Sequence, residues 1–207
     1  IRRRFRRFLR FGWKGKLYQF LVLPFGLCSA PLVFTRVTKP LKAFLHSRGI
    51  RSIFYLDDIL IVGSSRQSCV DNVEAALLLL RRVGFIVNLK KSSLTPSQEF
   101  RFLGFQWSTA SGQVSIDDSK RLAFVNRAQR MLDVSRPRCR DVQVLLGHMT
   151  AALLAVPLMR LHCRFLQRDL NKVYRSAADS NLRVSLSEAS LRELRWTRSL
   201  ELHQCFS

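Results

Sequence analysis

The sequence predicts an α+β fold that gives way to a purely helical region, and three observations carry that prediction. Strand-like and helix-like apolar periods alternate as far as residue 116, only helical periods follow it, and 47% of the 207 residues are apolar, enough to build real cores. The expected domains are therefore 1–116, mixed, with an antiparallel sheet and helices on one of its faces, and 117–207, helical.

Residues 17–23, LYQFLVL, read as a strand between a Gly12–Gly15 turn region and the loop chemistry of Pro24-Phe25-Gly26. Ser29 and Pro31 start a helix whose apolar positions Val33, Phe34, Val37, Leu41, Phe44 and Leu45 recur until Gly49, with Pro40 expected to kink or divide it. SIFYLDDILIVG, 52–63, is β-branched and aromatic on both sides of Asp57-Asp58 and predicts a tight hairpin with both acids in the turn. Val70, Val73, Leu77 and Leu80 mark one helix face ending near Gly84, FIVNL is strand-like, and KKSSLTPS is loop. FRFLGFQWS and QVSI predict a second hairpin turning at Ser111-Gly112. Asp117 caps a helix bearing Leu122, Val125 and Leu132 that Pro137 ends. Val142, Leu145, Leu146, Met149 and Leu153 form another face, and Ser185 with Glu188 makes a capping box for a last helix through Arg198. No internal repeat or low-complexity segment is present.

Charge narrows the function classes. Thirty-five Lys and Arg face 14 Asp and Glu, a net +21 spread along the chain, and self-repulsion on that scale calls for a polyanion, nucleic acid ahead of a membrane surface. The longest apolar stretch, Met149–Met159, is interrupted by Thr150 and Pro157 and falls short of the roughly 20 residues of a spanning helix, so no membrane partner is expected. Five cysteines, Cys28, Cys69, Cys139, Cys163 and Cys205, are odd in number and form no CxxC pair, which points to a reducing compartment, cytoplasmic or nuclear. His148, His162 and His203 lie near three of them, but no paired ligand spacing supports zinc, and scattered core and surface positions are the better reading. The opening IRRRFRRFLRF has the look of an Arg-rich transit peptide; it runs straight into LYQFLVL without cleavage-type composition, so the chain is expected to begin inside a longer polypeptide.

The strongest chemical signal is Tyr55-Leu56-Asp57-Asp58. Adjacent carboxylates at a tight turn repel each other, and a turn alone needs only one Asp or Asn with a Gly; a divalent cation such as Mg²⁺ (or Mn²⁺), which takes oxygen ligands and substrate phosphates together, resolves the conflict. A decorated turn is the plain alternative. LPFGLCSAPLVF at 23–34, FYLDDILIV at 54–62, GFIVNLKKS at 84–92 and FRFLGFQW at 100–107 then follow in the order of retroelement reverse transcriptases, which the chain resembles. More narrowly, SRGIRSIFYLDDILIV, LTPSQEFRFLGF, VQVLLGHMTAALLAVPLMRLHCRFLQ and SLSEASLRELRW are similar to retrotransposons of the DIRS type, which carry a tyrosine recombinase.

The resemblance implies a reverse-transcriptase palm over 1–116 and a thumb or connection region over 117–207, with the fingers and first palm strand missing. It implies that Asp57 and Asp58 hold the catalytic metals and that Tyr55 supports the hairpin. Phe25 and Gly26 would approach the incoming nucleotide and template, with core packing an equal alternative for Phe25. Lys90 or Lys91 would sit near the triphosphate and protonate the leaving pyrophosphate, each with a plain surface role as alternative. Phe102, Leu103 and Gly104 would grip the primer terminus, with Trp107 beneath. Lys120, Arg121, Arg127, Arg130, Arg136, Arg138 and Arg140 would track template and primer phosphates. The expected partners are an RNA or DNA template with its primer and deoxynucleoside triphosphates. The family's third Asp lies upstream of FLRFGWKGKLYQF, and no acidic residue precedes Asp57 here, so the isolated chain is expected not to polymerise. A non-catalytic nucleic-acid-binding remnant of a decayed element is the second reading; a nucleotidyl-cyclase-like enzyme, lacking the resemblance over 84–198, is a distant third. An RNase H region and a recombinase would be expected downstream in such an element.

Overall fold

The structure, a computed structural model, describes residues 1–199; Cys205 and His203, weighed above for zinc, lie outside them. Chain contacts define two compact units, Ile1–Pro96 and a second that begins at Ser97.

In the first unit a short helix α1 (Arg3–Arg6) leads into the hairpin of β1 (Arg10–Trp13) and β2 (Lys16–Gln19), paired Phe11 to Tyr18. Lys14 and Gly15, both at positive φ, form its two-residue turn. The strand expected over 17–23 stops at Gln19, and residues 20–29 are irregular. β2 has β1 as its only partner strand among the described residues, and unpaired backbone gains nothing from staying extended. α2 (Ala30–Ser47) starts with Pro31 in its first turn and runs undivided through Pro40. The proline removes one N–H from the ladder, while buried Thr38 and Leu45 keep the helix packed on both sides of it.

β3 (Arg51–Tyr55) and β4 (Asp58–Val62) pair antiparallel as expected, and α3 (Arg66–Arg82) begins at Ser65, whose hydroxyl accepts from the Ser68 N–H at 3.1 Å. Gly63 lets the two meet: a Cβ there would stand 2.4 Å from the Cys69 backbone nitrogen. The core of this unit is small, Leu45, Ile50 and Ala76 with Phe54, Ile61 and Leu79 against them. FIVNL is not a strand; residues 85–88 are irregular and Leu89–Lys91 form a 3-10 turn whose Lys91 N–H donates to the Asn88 side chain. Its apolar alternation finds no strand to pair with among the described residues.

In the second unit FRFLGFQWS is itself a hairpin, so that β5 (Glu99–Phe102), β6 (Phe105–Ser108) and β7 (Gln113–Ile116) make a three-stranded antiparallel sheet. Register puts Phe100, Phe102, Phe105, Trp107, Val114 and Ile116 on one face and only polar residues on the other. Phe105, Val114 and Ile116 pack on the helical core, and this is why the sheet belongs with the helices and the division falls at residue 96 instead of 116.

Four α-helices follow among the described residues: α4 (Asp118–Leu132), capped by Asp117 as expected, α5 (Cys139–Ala151), α6 (Arg164–Val173), which the apolar period did not reveal, and α7 (Glu188–Ser199). They bury Leu145, Met149, Met159, Leu166 and Leu194 completely. The Ser185–Glu188 capping box is not made; the Ser187 hydroxyl accepts from the Ser190 N–H at 3.3 Å instead.

Two carboxylates in this core tie α6 to α7 reciprocally. Glu193 of α7 accepts from the Phe165 and Leu166 N–H groups at 3.0 and 2.8 Å, in the first turn of α6. Asp169 of α6 accepts from the Ser187 N–H and the Ser190 hydroxyl at the start of α7, both at 2.7 Å, and pairs with Lys172. Burial alone would raise the Asp169 pKa, but the bonds from Lys172, Ser190 and Ser187 outweigh it and hold the carboxyl well below the usual range. No helix among the described residues is long and apolar enough to cross a membrane.

Candidate metal and nucleic-acid site

The β3–β4 hairpin presents the acidic pair. Tyr55 lies opposite Asp58, leaving Leu56 and Asp57 as the two turn residues, so that Asp57 alone is in the turn and Asp58 opens β4. Two apolar strands registered this tightly leave no room for a longer loop, and Leu56 takes φ +52° to close it. A left-handed leucine costs about 1–2 kcal/mol, which the strand pairing on either side must hold. At the far end of β3, His46 Nε2 lies 3.0 Å from the Ser52 carbonyl, anchoring the hairpin to α2, and the buried Ser52 hydroxyl has no partner.

Asp57 and Asp58 are both exposed, and in a chain with 35 Lys and Arg neither forms an ion pair among the described residues. Two adjacent, uncompensated carboxylates are a hard oxygen donor set suited to a divalent cation that keeps waters and phosphates as its remaining ligands. Among the described residues no group of three or more acidic, His or Cys side chains is placed to hold a metal ion. The hairpin therefore offers a binding edge on one side only.

The other expected residues of this unit are surface groups. Phe25 is fully exposed in this unit and Gly26 has φ +81°. Lys90 and Lys91 are exposed on the 3-10 turn. Tyr55 is 56% exposed, so it presents much of its ring to solvent. No hydrogen bond or ion pair joins Phe25, Lys90 or Lys91 to the acidic pair among the described residues.

In the second unit Leu103 and Gly104 form the β5–β6 turn with φ +52° and +81°, a conformation in which glycine is at ease and leucine is not. The structure brings Lys120 to this turn: its Nζ donates to the Gly104 carbonyl at 3.0 Å. Trp107 Nε1 donates to the Phe102 carbonyl at 3.1 Å and its ring stacks on Phe100, fastening the hairpin from beneath. Arg101 pairs with Asp117. Arg121 is paired with Asp118 at 3.1 Å, and Arg127 lies near His148, whose pKa is lowered by burial first and by that guanidinium second. Of the basic residues read as phosphate contacts, Lys120 and Arg121 thus have protein partners as well. The sequence reading missed Arg183, which stands directly across from Arg138; the two are distant in sequence, and only chain pairing reveals the neighbourhood.

Residues 2–107 match the family model described as reverse transcriptase (RNA-dependent DNA polymerase). The Pro-Pol polyprotein of Simian foamy virus type 1 is 30% identical over 149 residues, 71% of this chain and 12% of that polyprotein. The chain thus spans about an eighth of the length of that relative. Among solved structures, a foamy viral protease-reverse transcriptase in complex with double-stranded DNA is similar with a TM-score of 0.73 at 24% identity, over 96% of this chain and 32% of that one. The foamy viral protease-reverse transcriptase in complex with an RNA/DNA hybrid has a TM-score of 0.68 at 23% identity, over 94% of this chain and 24% of that one. These likenesses extend the common fold beyond residue 107, through the three-stranded sheet and the helices.

Proposed function

The chain belongs to the reverse transcriptase (RNA-dependent DNA polymerase) family, and we propose that it supplies the acidic hairpin, primer-gripping turn and basic helices of a polymerase that extends a primer on an RNA or DNA template. The observation that carries this reading is the exposed, unpaired Asp57-Asp58 edge on a turn closed by left-handed Leu56, in a chain otherwise dominated by arginine.

In the reaction a primer 3′-hydroxyl gives up its proton to water and attacks the α-phosphate of a deoxynucleoside triphosphate, the P–O bond to the pyrophosphate breaks, and pyrophosphate leaves. Mg²⁺ or Mn²⁺ bound at this edge would neutralise charge developing on the phosphate oxygens. Asp57 and Asp58 would hold that ion. Phe25, free of the core, offers a ring face to the nucleotide or template, and Gly26 brings backbone close to it. Lys90 or Lys91 donates a proton to the departing pyrophosphate oxygen. Phe102, Leu103 and Gly104 position the primer terminus, with Lys120 keeping the turn in register. Arg127 and its neighbours on the basic helices neutralise backbone phosphates.

Two carboxylates on one hairpin clamp metal from a single side, so the 207 residues alone are not expected to polymerise. The DIRS-type motifs quoted above favour a tyrosine-recombinase retrotransposon as the source. The test is primer extension with Mg²⁺ by this chain and by the same chain extended upstream through the next acidic strand. Activity confined to the longer chain, and abolished in it by Asp57→Asn with duplex affinity kept, supports the polymerase. Undiminished activity of Asp57→Asn overturns the metal assignment, and inactivity of both chains with duplex binding retained favours a non-catalytic remnant.

A further inference from the structure

The segment that joins α4 to α5 pairs with the segment before α7 through a short antiparallel bridge. The Cys139 N–H donates to the Leu182 carbonyl at 2.8 Å and the Val184 N–H to the Pro137 carbonyl at 2.9 Å. These bonds flank Arg138 and Arg183 and make them a non-hydrogen-bonded pair, the kind in which facing side chains approach most closely. Pro137, Cys139 and Val184 point inward and are buried, whereas Arg136, Arg138, Arg140 and Arg183 are exposed. Arg138 and Arg183 therefore face each other at the surface, with exposed Arg136 and Arg140 two residues to either side of Arg138.

Like charges placed directly opposite destabilise a strand pair. Among the described residues none of the four forms an ion pair, and the Arg183 guanidinium donates to the Arg136 carbonyl at 3.0 Å. Two carboxylates are near. Asp141 lies in the first turn of α5, and Asp179 is occupied by the Arg175 and Ser176 N–H groups, both at 2.8 Å. An arrangement that costs stability in the free protein and leaves forked donors facing outward suits an external anion that accepts two N–H bonds from each guanidinium.

We propose that Arg138 and Arg183, flanked by Arg136 and Arg140, form a phosphate clamp for the backbone of a nucleic-acid duplex, resting on the nucleic-acid reading above for the identity of the polyanion. Clamping from two chain segments fixes the duplex against the second unit in one orientation, which single arginines on a helix face do not. The clamp works without metal and independently of Asp57 and Asp58.

The test measures duplex binding by the full 207-residue chain in EDTA across a salt series, for the parent, for R138Q/R183Q, and for R164Q/R168Q, which removes equal charge from exposed positions on α6. The clamp predicts at least a tenfold affinity loss at 0.1 M salt for R138Q/R183Q and a slope of log K against log salt shallower by about two, with a clearly smaller change for R164Q/R168Q. R138K/R183K, which keeps the charge and loses the fork, should retain the slope and lose part of the affinity. Relief of the like-charge pair should leave the melting temperature of R138Q/R183Q unchanged or higher at low salt, which guards against misfolding as the cause. Equal losses in the two Gln pairs overturn the clamp in favour of general charge. Duplex binding unchanged in R138Q/R183Q, with binding to phosphatidylserine vesicles lost, overturns it in favour of a lipid surface. A parent chain that binds no duplex overturns the nucleic-acid reading itself.

Discussion

The two units treat their apolar residues in opposite ways. The second closes its sheet and four helices over a continuous core in which Leu145, Met149, Leu166 and Leu194 are completely buried. The first, which carries the acidic pair, buries only Leu45, Ile50, Ala76 and Leu80 among its large or core-forming side chains, while Phe8, Trp13, Leu17, Phe25 and Ile86 stand in solvent. Its β1–β2 hairpin is exposed on both strands, with Phe11 stacked on Tyr18 and beside Phe20 on the surface. Exposed apolar area on this scale marks a surface suited to packing against something else. The acidic turn thus rides on a thin core, and the thicker one supports basic residues.

Substitutions that probe this contrast run from severe to negligible. Leu145→Ala, at the centre of the second core, should cost about 2–5 kcal/mol in urea unfolding; a much smaller loss would mean the core repacks freely. Asp169→Asn should cost about 1.5–3 kcal/mol at pH 7, since it weakens charged hydrogen bonds at a buried site. The folded Asp169 pKa is depressed, so its contribution is complete above the ordinary carboxylate range and lost as pH falls through that range towards the folded value. Unfolding measured from pH 7 down to pH 3 should therefore show a stability decline in the parent that is shallower in Asp169→Asn.

In the first unit Gly63→Ala must push the Cys69 backbone away, at about 1–3 kcal/mol, and amide exchange should report faster opening where β4 meets α3. Ile86→Ser, at a side chain 99% exposed, should change stability by less than about 0.5 kcal/mol. A large loss there would show that this exposed apolar position is covered in solution.

Much of this was legible in the sequence because it is local. Tyr55-Leu56-Asp57-Asp58 between β-branched runs specified the hairpin, Asp117 its helix, and Val142 to Leu153 a buried face. What failed was long-range. The strand character of FIVNL depends on a partner that the described residues do not provide, and the affiliation of β5 to β7 depends on Phe105, Val114 and Ile116 facing a helical core. The second turn in FRFLGFQWS was hidden because a leucine, not an Asn or Asp, precedes its glycine. The acidic pair was readable as a motif, whereas the partnership of Lys120 with Gly104 and the Arg138–Arg183 pairing join segments that no periodicity connects.

The exchanged carboxylates of α6 and α7 have a kinetic corollary. Because Glu193 holds the first amides of α6 and Asp169 holds the start of α7, neither helix end can open without releasing the other's. The pair should behave as one foldon, with the Leu166 and Ser187 amides sharing a single opening free energy in native-state hydrogen exchange although twenty residues of chain separate them.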